Sequence, residues 1–262
     1  MASKDRLELS ATITGRSDRP EEPSIEKQET VEELLLDEAS VEQPTISFVL
    51  PTLNEEDGIA DCLDQIRAVV AQLEVPAEVL VSDSSTDRTP AIARGMGAIV
   101  LEPDAKGYGN AYRHAFERAR GEFIVMGDAD TTYDFEEVPR LIERLLAADA
   151  DMVMGSRLAG EIKPGAMPTL HQYVGNPLLT KFLNVFYDAG VSDAHSGMRV
   201  FTRDALETLD LQSSGMEFAS EMIMQAAVRD LTIEEVPITY HERKGDATLH
   251  SFRDGWRHVK FM

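Results

Sequence analysis

The sequence predicts an α/β fold: a mostly parallel sheet with helices on both faces. Three observations carry that expectation. Short apolar, β-branched runs recur from Thr45 onward. Between them lie segments whose apolar residues return every three or four positions. The two kinds of segment alternate as far as Arg157, where the pattern loosens.

ISFVLP (46–51) is the first strand, short and apolar throughout. Ile59, Leu63, Ile66, Val70 and Leu73 then mark one helical stripe, in which Cys62 reads as a packed thiol. EVLVSD (78–83) is a strand, and STDRTPAIARGMG (85–97) opens with capping residues into a helix. AIVLEP (98–103) is strand, YGNAYRHAFERAR (108–120) helix and EFIVMGD (122–128) strand. FEEVPRLIERLLAAD (135–149) is a helix whose proline falls in the first turn, where it is tolerated. DMVMGSR (151–157) is the next strand, ending at Arg157. Beyond a loop, EIKPGAMP, the segment 171–190 is helical with a break at Gly175–Pro177. RVFTRDAL (199–206) is a strand turning into a short helix; 217–230 is a helix and TIEEVPITY (232–240) a strand.

Three regions follow. Residues 1–44 read as an acidic, mostly disordered arm, in which VEELLLDEA (31–39) is able to form a short helix and reads either as a docking segment or as part of a solvated tail. Residues 45–240 form the α/β domain. Residues 241–262 form a basic loop and an amphipathic segment, with Phe252, Trp256 and Val259 at helical spacing beside Arg253, Arg257 and Lys260. Such a helix can lie against a membrane surface or pack Trp256 on the core.

The 262 residues include 47 Asp plus Glu against 25 Lys plus Arg, a formal charge of −22. That balance excludes non-specific nucleic-acid binding, which needs a basic face. A single cysteine excludes an internal disulfide and fits a reducing compartment. MASKDRLELS lacks the apolar centre of a signal peptide, and no apolar run reaches membrane-spanning length.

Two D-A-D triplets raise the question of chemistry. Asp128 and Asp130 follow the strand EFIVM, at the carboxyl edge where open α/β sheets bind ligands. Asp149 and Asp151 precede a strand, at the opposite edge, where solvation or capping is the expected role. The first pair is therefore the metal candidate. Two hard carboxylates without a Cys/His cluster suit Mg²⁺ or Mn²⁺, which complete their shells with water and substrate phosphates. A phosphorylated ligand follows, nucleotide diphosphates being the commonest kind. The Walker loop is absent. GYGN (107–110) reads either as a tight turn with an Asn cap or as bare backbone that, with Lys106, approaches a nucleotide. Asn54 and Glu55 follow the first strand and Asp83 the second, so three strands aim polar groups at one edge. Asp83 can accept a nucleobase N–H.

Taken in order, these residues resemble glycosyltransferase family 2, whose fold is the Rossmann-like GT-A sheet. PTLNEE (51–56) resembles its opening motif, VSDSSTDRT (81–89) its nucleoside-binding turn, KGYGNAYRHAF its Lys-Gly segment and DADTTYDFEEVP its D-x-D motif. DAHSGMRVFTRDAL (193–206) is similar to the polyprenyl-phosphate sugar synthases, including dolichyl-phosphate glucose and mannose synthases. Departures occur at Ser84, Thr132 and Ala247-Thr248-Leu249, and the Q-x-x-R-W motif of processive synthases is absent.

The resemblance implies inverting transfer of a hexose from a nucleotide diphosphate sugar to dolichyl or polyprenyl phosphate at the cytoplasmic face of a membrane. UDP-glucose is preferred over GDP-mannose as donor, on the DADTTYDF and SGMEFASE segments. Pro51, Leu53, Glu55, Asp83, Lys106 and Asp128 would bind the nucleotide, and Asp128 and Asp130 the metal. A phosphate acceptor, with a second pKa of about 6, needs no general base. A hydroxyl acceptor does, and Asp193 is the candidate, its other reading being a turn or cap residue. Asp130, Asp193 and Arg157 are thus the expected catalytic set. Arg157, Arg243 and Lys244 would meet the acceptor or leaving phosphate. Arg199 reads as a structural ion pair and His171 as a capping or packing residue, with phosphate contact the other reading of each. Glu217 and Glu221 face either sugar hydroxyls or solvent.

Overall fold

The computed structural model describes residues 30–245. A short helix α1 (Val31–Leu34) precedes β1 (Ile46–Thr52), α2 (Ile59–Leu73), β2 (Ala77–Asp83), α3 (Thr89–Gly95) and β3 (Ile99–Leu101). Then come α4 (Tyr108–Phe116), β4 (Phe123–Met126), a 3₁₀ turn (Phe135–Glu137), α5 (Val138–Ala148) and β5 (Met152–Ile162). A π turn (His171–Gly175) leads into α6 (Asn176–Tyr187), at the break the sequence marks with Gly175 and Pro177. β6 (Arg199–Thr202), α7 (Arg203–Thr208), α8 (Phe218–Val228) and β7 (Ile233–Tyr240) complete the described residues.

The strands form one sheet in the order β3-β2-β1-β4-β6-β5-β7. Every pairing is parallel except those of β6, which runs antiparallel to β4 and β5. Side chains alternate across the pleat, so β1 sends Phe48 and Leu50 to one face and Val49 to the other. Phe48 and Leu50 pack with Ile59, Ile66 and Val70 of α2 and Leu141 and Leu145 of α5. Val49 packs with Tyr112 and Phe116 of α4 and Phe218 and Met222 of α8. Helices therefore cover both faces, as the near-continuous apolar strands require.

Two expectations change. The segment from residue 30 onward is not a free arm. Leu34 and Leu36 are buried, and the Leu36 N–H extends the sheet edge by donating to the Ala77 carbonyl at 2.8 Å. Arg120 fastens the same segment through the carbonyls of Ser40 (2.8 Å) and Asp37 (3.0 Å). The LLL run inside an acidic stretch supplies the apolar contact that outweighs its solvation. Residues 1–29 and 246–262, with the predicted amphipathic segment, lie outside the described residues. Second, β5 does not end at Arg157. It continues to Ile162, crossing an irregularity between Ser156 and Glu161 where it pairs again with Thr239 and Tyr240.

Candidate active site

β1, β2 and β4 all exit at the same edge. After β1, Asn54 takes the left-handed conformation (φ 59°), which an Asn tolerates. Its Oδ1 accepts from the Thr86 N–H at 2.8 Å, and its N–H donates to Ser85 Oγ at 2.7 Å. Asn54 thus ties the β1 exit to the β2 exit. Asp83, buried at the end of β2, accepts from Thr52 Oγ1 at 2.7 Å and from the Ser85 N–H at 3.3 Å.

The β4 exit carries Asp128 and Asp130, which differ in their surroundings. Asp130 is saturated: Oδ1 accepts from Thr132 Oγ1 (2.6 Å) and N–H (3.1 Å), and Oδ2 from Arg243 (3.0 Å). Asp128 Oδ1 is shielded from solvent and has no hydrogen-bond partner. Burial, with the Asp130 charge added, pushes the Asp128 carboxyl up to about 7. Burial likewise raises Glu55 to about 7; Arg243 opposes the shift and Asp130 adds to it. Arg243 bridges the cluster, donating to Glu55 as well as to Asp130.

This arrangement fits a hard divalent cation. An orphaned, buried carboxylate oxygen beside a second carboxylate is a site short of positive charge. Among the described residues no cluster of three or more His, Cys, Asp or Glu could hold a metal. Water and phosphate oxygens would have to supply the rest of the shell. The other triplet has structural roles at the opposite edge. Asp149 ends α5 in the left-handed conformation (φ 49°), and Asp151 accepts from the Thr232 N–H at 2.8 Å.

The contacts pair several of the expected site residues with one another. Arg157 and Asp193, given separate tasks above, form one sealed ion pair. Arg157 Nε and Nη2 donate to Asp193 Oδ2 and Oδ1 at 2.7 and 2.8 Å, and the Arg157 N–H adds a third bond at 3.1 Å. Asp193 is 0% exposed and Arg157 7%. Burial alone would raise the Asp193 carboxyl, but the charge and hydrogen bonds of Arg157 hold it below the usual carboxylate range. An inaccessible, already-paired carboxylate is a poor general base, and most of the guanidinium fork is spent on it. Arg243 and Lys244 do not form one phosphate grip either. Arg243 lies on Glu55 and Asp130, whereas the Lys244 ammonium pairs with Asp61 of α2.

The two glycines of GYGN approach protein, not open space. A Cβ at Gly107 or Gly109 would lie 2.2 Å from the carbonyl oxygen of Ser214 or Ser213. Asn110 Nδ2 donates to the Lys106 carbonyl at 3.1 Å, so the tight-turn reading holds, and the Lys106 side chain is exposed beside it. The opposing loop is clamped from α8. Glu221 accepts from the N–H groups of Gln212 (2.9 Å) and Ser213 (2.8 Å), and Glu217 from Gly215 (3.2 Å). Both glutamates are buried against that loop and do not form a solvated face. Arg199 donates to the carbonyls of Ala194, Ser196 and Ala219 instead of pairing with a carboxylate. His171 lies half-exposed in the π turn. Pro51, one residue before the end of β1, pairs with Ser82, and Leu53, just past the strand, is 37% exposed.

Sequence reasoning missed the aromatic floor. Tyr133 accepts from the Gly197 N–H at 2.6 Å, and Tyr240 stacks under the Arg157 guanidinium, 5.1 Å from its ring centre. Glu235 of β7 accepts from the N–H groups of Ser192 and Asp193, fixing the loop that carries Asp193. Tyr133 had a signal, standing three residues past Asp130 in the same loop; Glu235 had none.

Residues 47–210 match the model of glycosyl transferase family 2. The chain is 66% identical over 231 residues to the low-salt glycan biosynthesis hexosyltransferase Agl6 of Haloferax volcanii, covering 88% of this chain and 56% of that protein. It thus spans little more than half the length of that relative. It is 34% identical over 211 residues to the dolichyl-phosphate hexose transferase of the same organism, covering 80% of this chain and 89% of that one. The fold matches glucosyl-3-phosphoglycerate synthase from Mycobacterium tuberculosis, crystallised with Mn²⁺, UDP and glucosyl-3-phosphoglycerate. The TM-score is 0.67 at 24% identity, covering 93% of this chain and 84% of that one. The sheet is thus of the GT-A type, and the chain belongs to glycosyl transferase family 2.

Proposed function

We propose that this chain is the catalytic part of a divalent-metal-dependent hexosyltransferase. It would move a hexose, with inversion, from a nucleotide diphosphate sugar to dolichyl or polyprenyl phosphate in glycan assembly. The observation that carries the reading is the carboxylate rim at the β1, β2 and β4 exits, with the unpartnered Asp128 oxygen at its centre. The names of the two Haloferax relatives support the reaction class and the lipid acceptor.

Asp128 and Asp130 would hold Mg²⁺ or Mn²⁺, which when bound neutralises charge on the departing diphosphate. Asp83, fixed by Thr52 and Ser85, presents its remaining lone pairs to a nucleobase N–H, with Pro51 and Leu53 beside it. Lys106 stands exposed at the same rim. Arg243, paired with Glu55 and Asp130, would be the exchangeable cation of the site. Once it leaves Asp130, its guanidinium is available to the acceptor or leaving phosphate. The Arg157–Asp193 pair positions the 193–197 loop against Asp128. Positioning then supplies much of the acceleration.

A phosphate monoester is already a nucleophile near neutrality, with a second pKa of about 6. The sealing of Asp193 therefore favours a phosphate acceptor over a hydroxyl acceptor, which would need a base. Among the described residues no helix is long and apolar enough to cross a membrane. A lipid acceptor would be met at a membrane surface, on the cytoplasmic side where nucleotide sugars are made.

The test is transfer of radiolabel from UDP-glucose and from GDP-mannose to dolichyl phosphate, with and without Mn²⁺. We expect metal-dependent label in lipid, with UDP-glucose the better donor. Label in lipid from neither donor overturns the proposal, and faster label from GDP-mannose reverses the donor assignment.

A further inference from the structure

We infer, on the metal reading of Asp128 and Asp130 proposed above, that Tyr108 is a positioning residue: its hydroxyl holds one oxygen of Asp128 and so leaves the other to the cation. Tyr108 itself would touch neither the metal nor the acceptor.

Tyr108 opens α4 and stands between the two glycines of GYGN. Those glycines bring it close to the site. Gly107 has φ 137°, a conformation that favours glycine, and a Cβ there would meet the Ser214 carbonyl oxygen at 2.2 Å. A Cβ at Gly109 would meet the Ser213 carbonyl oxygen at 2.2 Å and Phe218 Cβ at 3.0 Å. The Asn110 N–H donates to the Ser214 carbonyl at 3.3 Å. The first turn of α4 is therefore pressed into the loop that Glu217 and Glu221 clamp. Its phenol ring is then fixed on two sides. Tyr112 meets it edge-on, with centroids 5.0 Å apart at 74°, and Phe218 does so at 6.4 Å and 74°. Tyr112 in turn stacks on Phe218 (5.6 Å, 3°) and donates to the Gly127 carbonyl at 3.2 Å. A ring packed in this way has little freedom to turn.

The hydroxyl end reaches the metal loop, where it donates to the Asp128 carboxylate. Gly197 closes the same spot from another side. A Cβ there would lie 2.9 Å from Asp128 Oδ2 and 3.2 Å from Tyr108 Oη. Oδ2 is thus enclosed by a phenol and bare backbone, whereas Oδ1 is buried without a partner. One carboxylate has two unlike oxygens, one committed to the protein and one left over. Burial and the Asp130 charge oppose the ionised form of Asp128, and the Tyr108 hydrogen bond favours it. A neutral donor does this without bringing a cation that would compete with the metal. Partners of this kind orient a ligand and set its charge, and losing one weakens metal binding about ten- to hundredfold. A ring that only filled space could as well be phenylalanine, as Phe116 and Phe218 are in the same stack.

The test is Mn²⁺ titration without nucleotide, read by paramagnetic resonance of the free ion. Tyr108→Phe should keep the native circular dichroism and bind Mn²⁺ about tenfold more weakly or worse. In an Asp128→Ala background, loaded at higher Mn²⁺, Tyr108→Phe should cause no further loss, because the carboxylate it holds is gone. Tyr112→Phe removes a hydroxyl from the same stack but leaves Asp128 its partner, so it should bind Mn²⁺ several-fold more tightly than Tyr108→Phe. A role confined to packing would weaken both backgrounds alike, or both tyrosine variants alike, and either result overturns the inference. A native chain that binds no Mn²⁺ sinks the metal reading and this inference with it. A native chain that binds Mn²⁺ no better than Tyr108→Phe sinks this inference alone.

Discussion

Arg243→Gln should tighten metal binding while it weakens catalysis. Arg243 donates to Asp130 Oδ2 at 3.0 Å and also to Glu55. A cation that takes that Asp130 oxygen must displace the guanidinium. Two unit charges about 4 Å apart at an effective dielectric near 20 interact by about 4 kcal/mol. The Arg243 side chain is 19% exposed, so solvent recovers part of this, and about 1–3 kcal/mol is a reasonable net cost of displacement. Removing Arg243 should therefore tighten Mn²⁺ about tenfold to a hundredfold without nucleotide. Paramagnetic resonance of free Mn²⁺ during titration reads this directly, independent of turnover. Asp130→Asn in either background should abolish the difference. Transfer to phosphate acceptors should fall in Arg243→Gln despite the tighter metal. Unchanged or weaker Mn²⁺ binding by Arg243→Gln would refute the reasoning.

Three further outcomes follow from the contacts. Asp128 and Glu55 have folded pKa values raised to about 7, so the fold favours their protonated forms. Their stabilisation is present below about pH 4 and is lost as pH rises through about 7. Thermal melts of metal-free protein should fall between pH 5 and pH 8, and Asp128→Asn should flatten that fall; an unaltered slope rejects the assignment. Arg157→Ala should cost about 3–5 kcal/mol in urea unfolding, because it strands a buried carboxylate. The Arg157→Met, Asp193→Leu double variant should recover much of that stability without recovering transfer, and a single variant near native stability counts against the sealed pair. Gly197→Ala would set a Cβ 2.9 Å from Asp128 Oδ2. It should fold, as judged by circular dichroism, and lose about tenfold or more in Mn²⁺ affinity; native affinity shows that Asp128 has room to move.

The alternation of strand and helix was legible because it rests on local periodicity. The choice between the two triplets was legible because it needed only chain order, strand before or strand after. What escaped was partnership. Arg157 and Asp193 are 36 residues apart, and nothing local says that one will consume the other. The GYGN glycines admitted both a tight-turn and a nucleotide-approach reading because close approach of backbone has the same sequence cost whether the neighbour is a nucleotide or Ser213 and Ser214. The docking of Leu34 and Leu36 was one of two readings of VEELLLDEA, and the acids around them favoured the solvated one. Three leucines in an acidic stretch look solvated until a sheet edge is found for them to cover. β5 was cut short because Leu158-Ala159-Gly160 carries no β-branched residue, and its continuation depends on β7.

Among the described residues β6 is the one reversed strand in the sheet, and its reversal has a consequence for evolution by insertion. Met126 at the end of β4 is paired with Arg199 at the start of β6. The D-A-D turn and the Ser196-Gly197 turn therefore leave and enter at adjacent rungs of a shared ladder. Lengthening either turn by one residue would shift the spacing between the two and so move Asp128 against Gly197. Diversification of this scaffold should accordingly collect its indels at the opposite rim of the sheet, and leave these two facing loops constant in length.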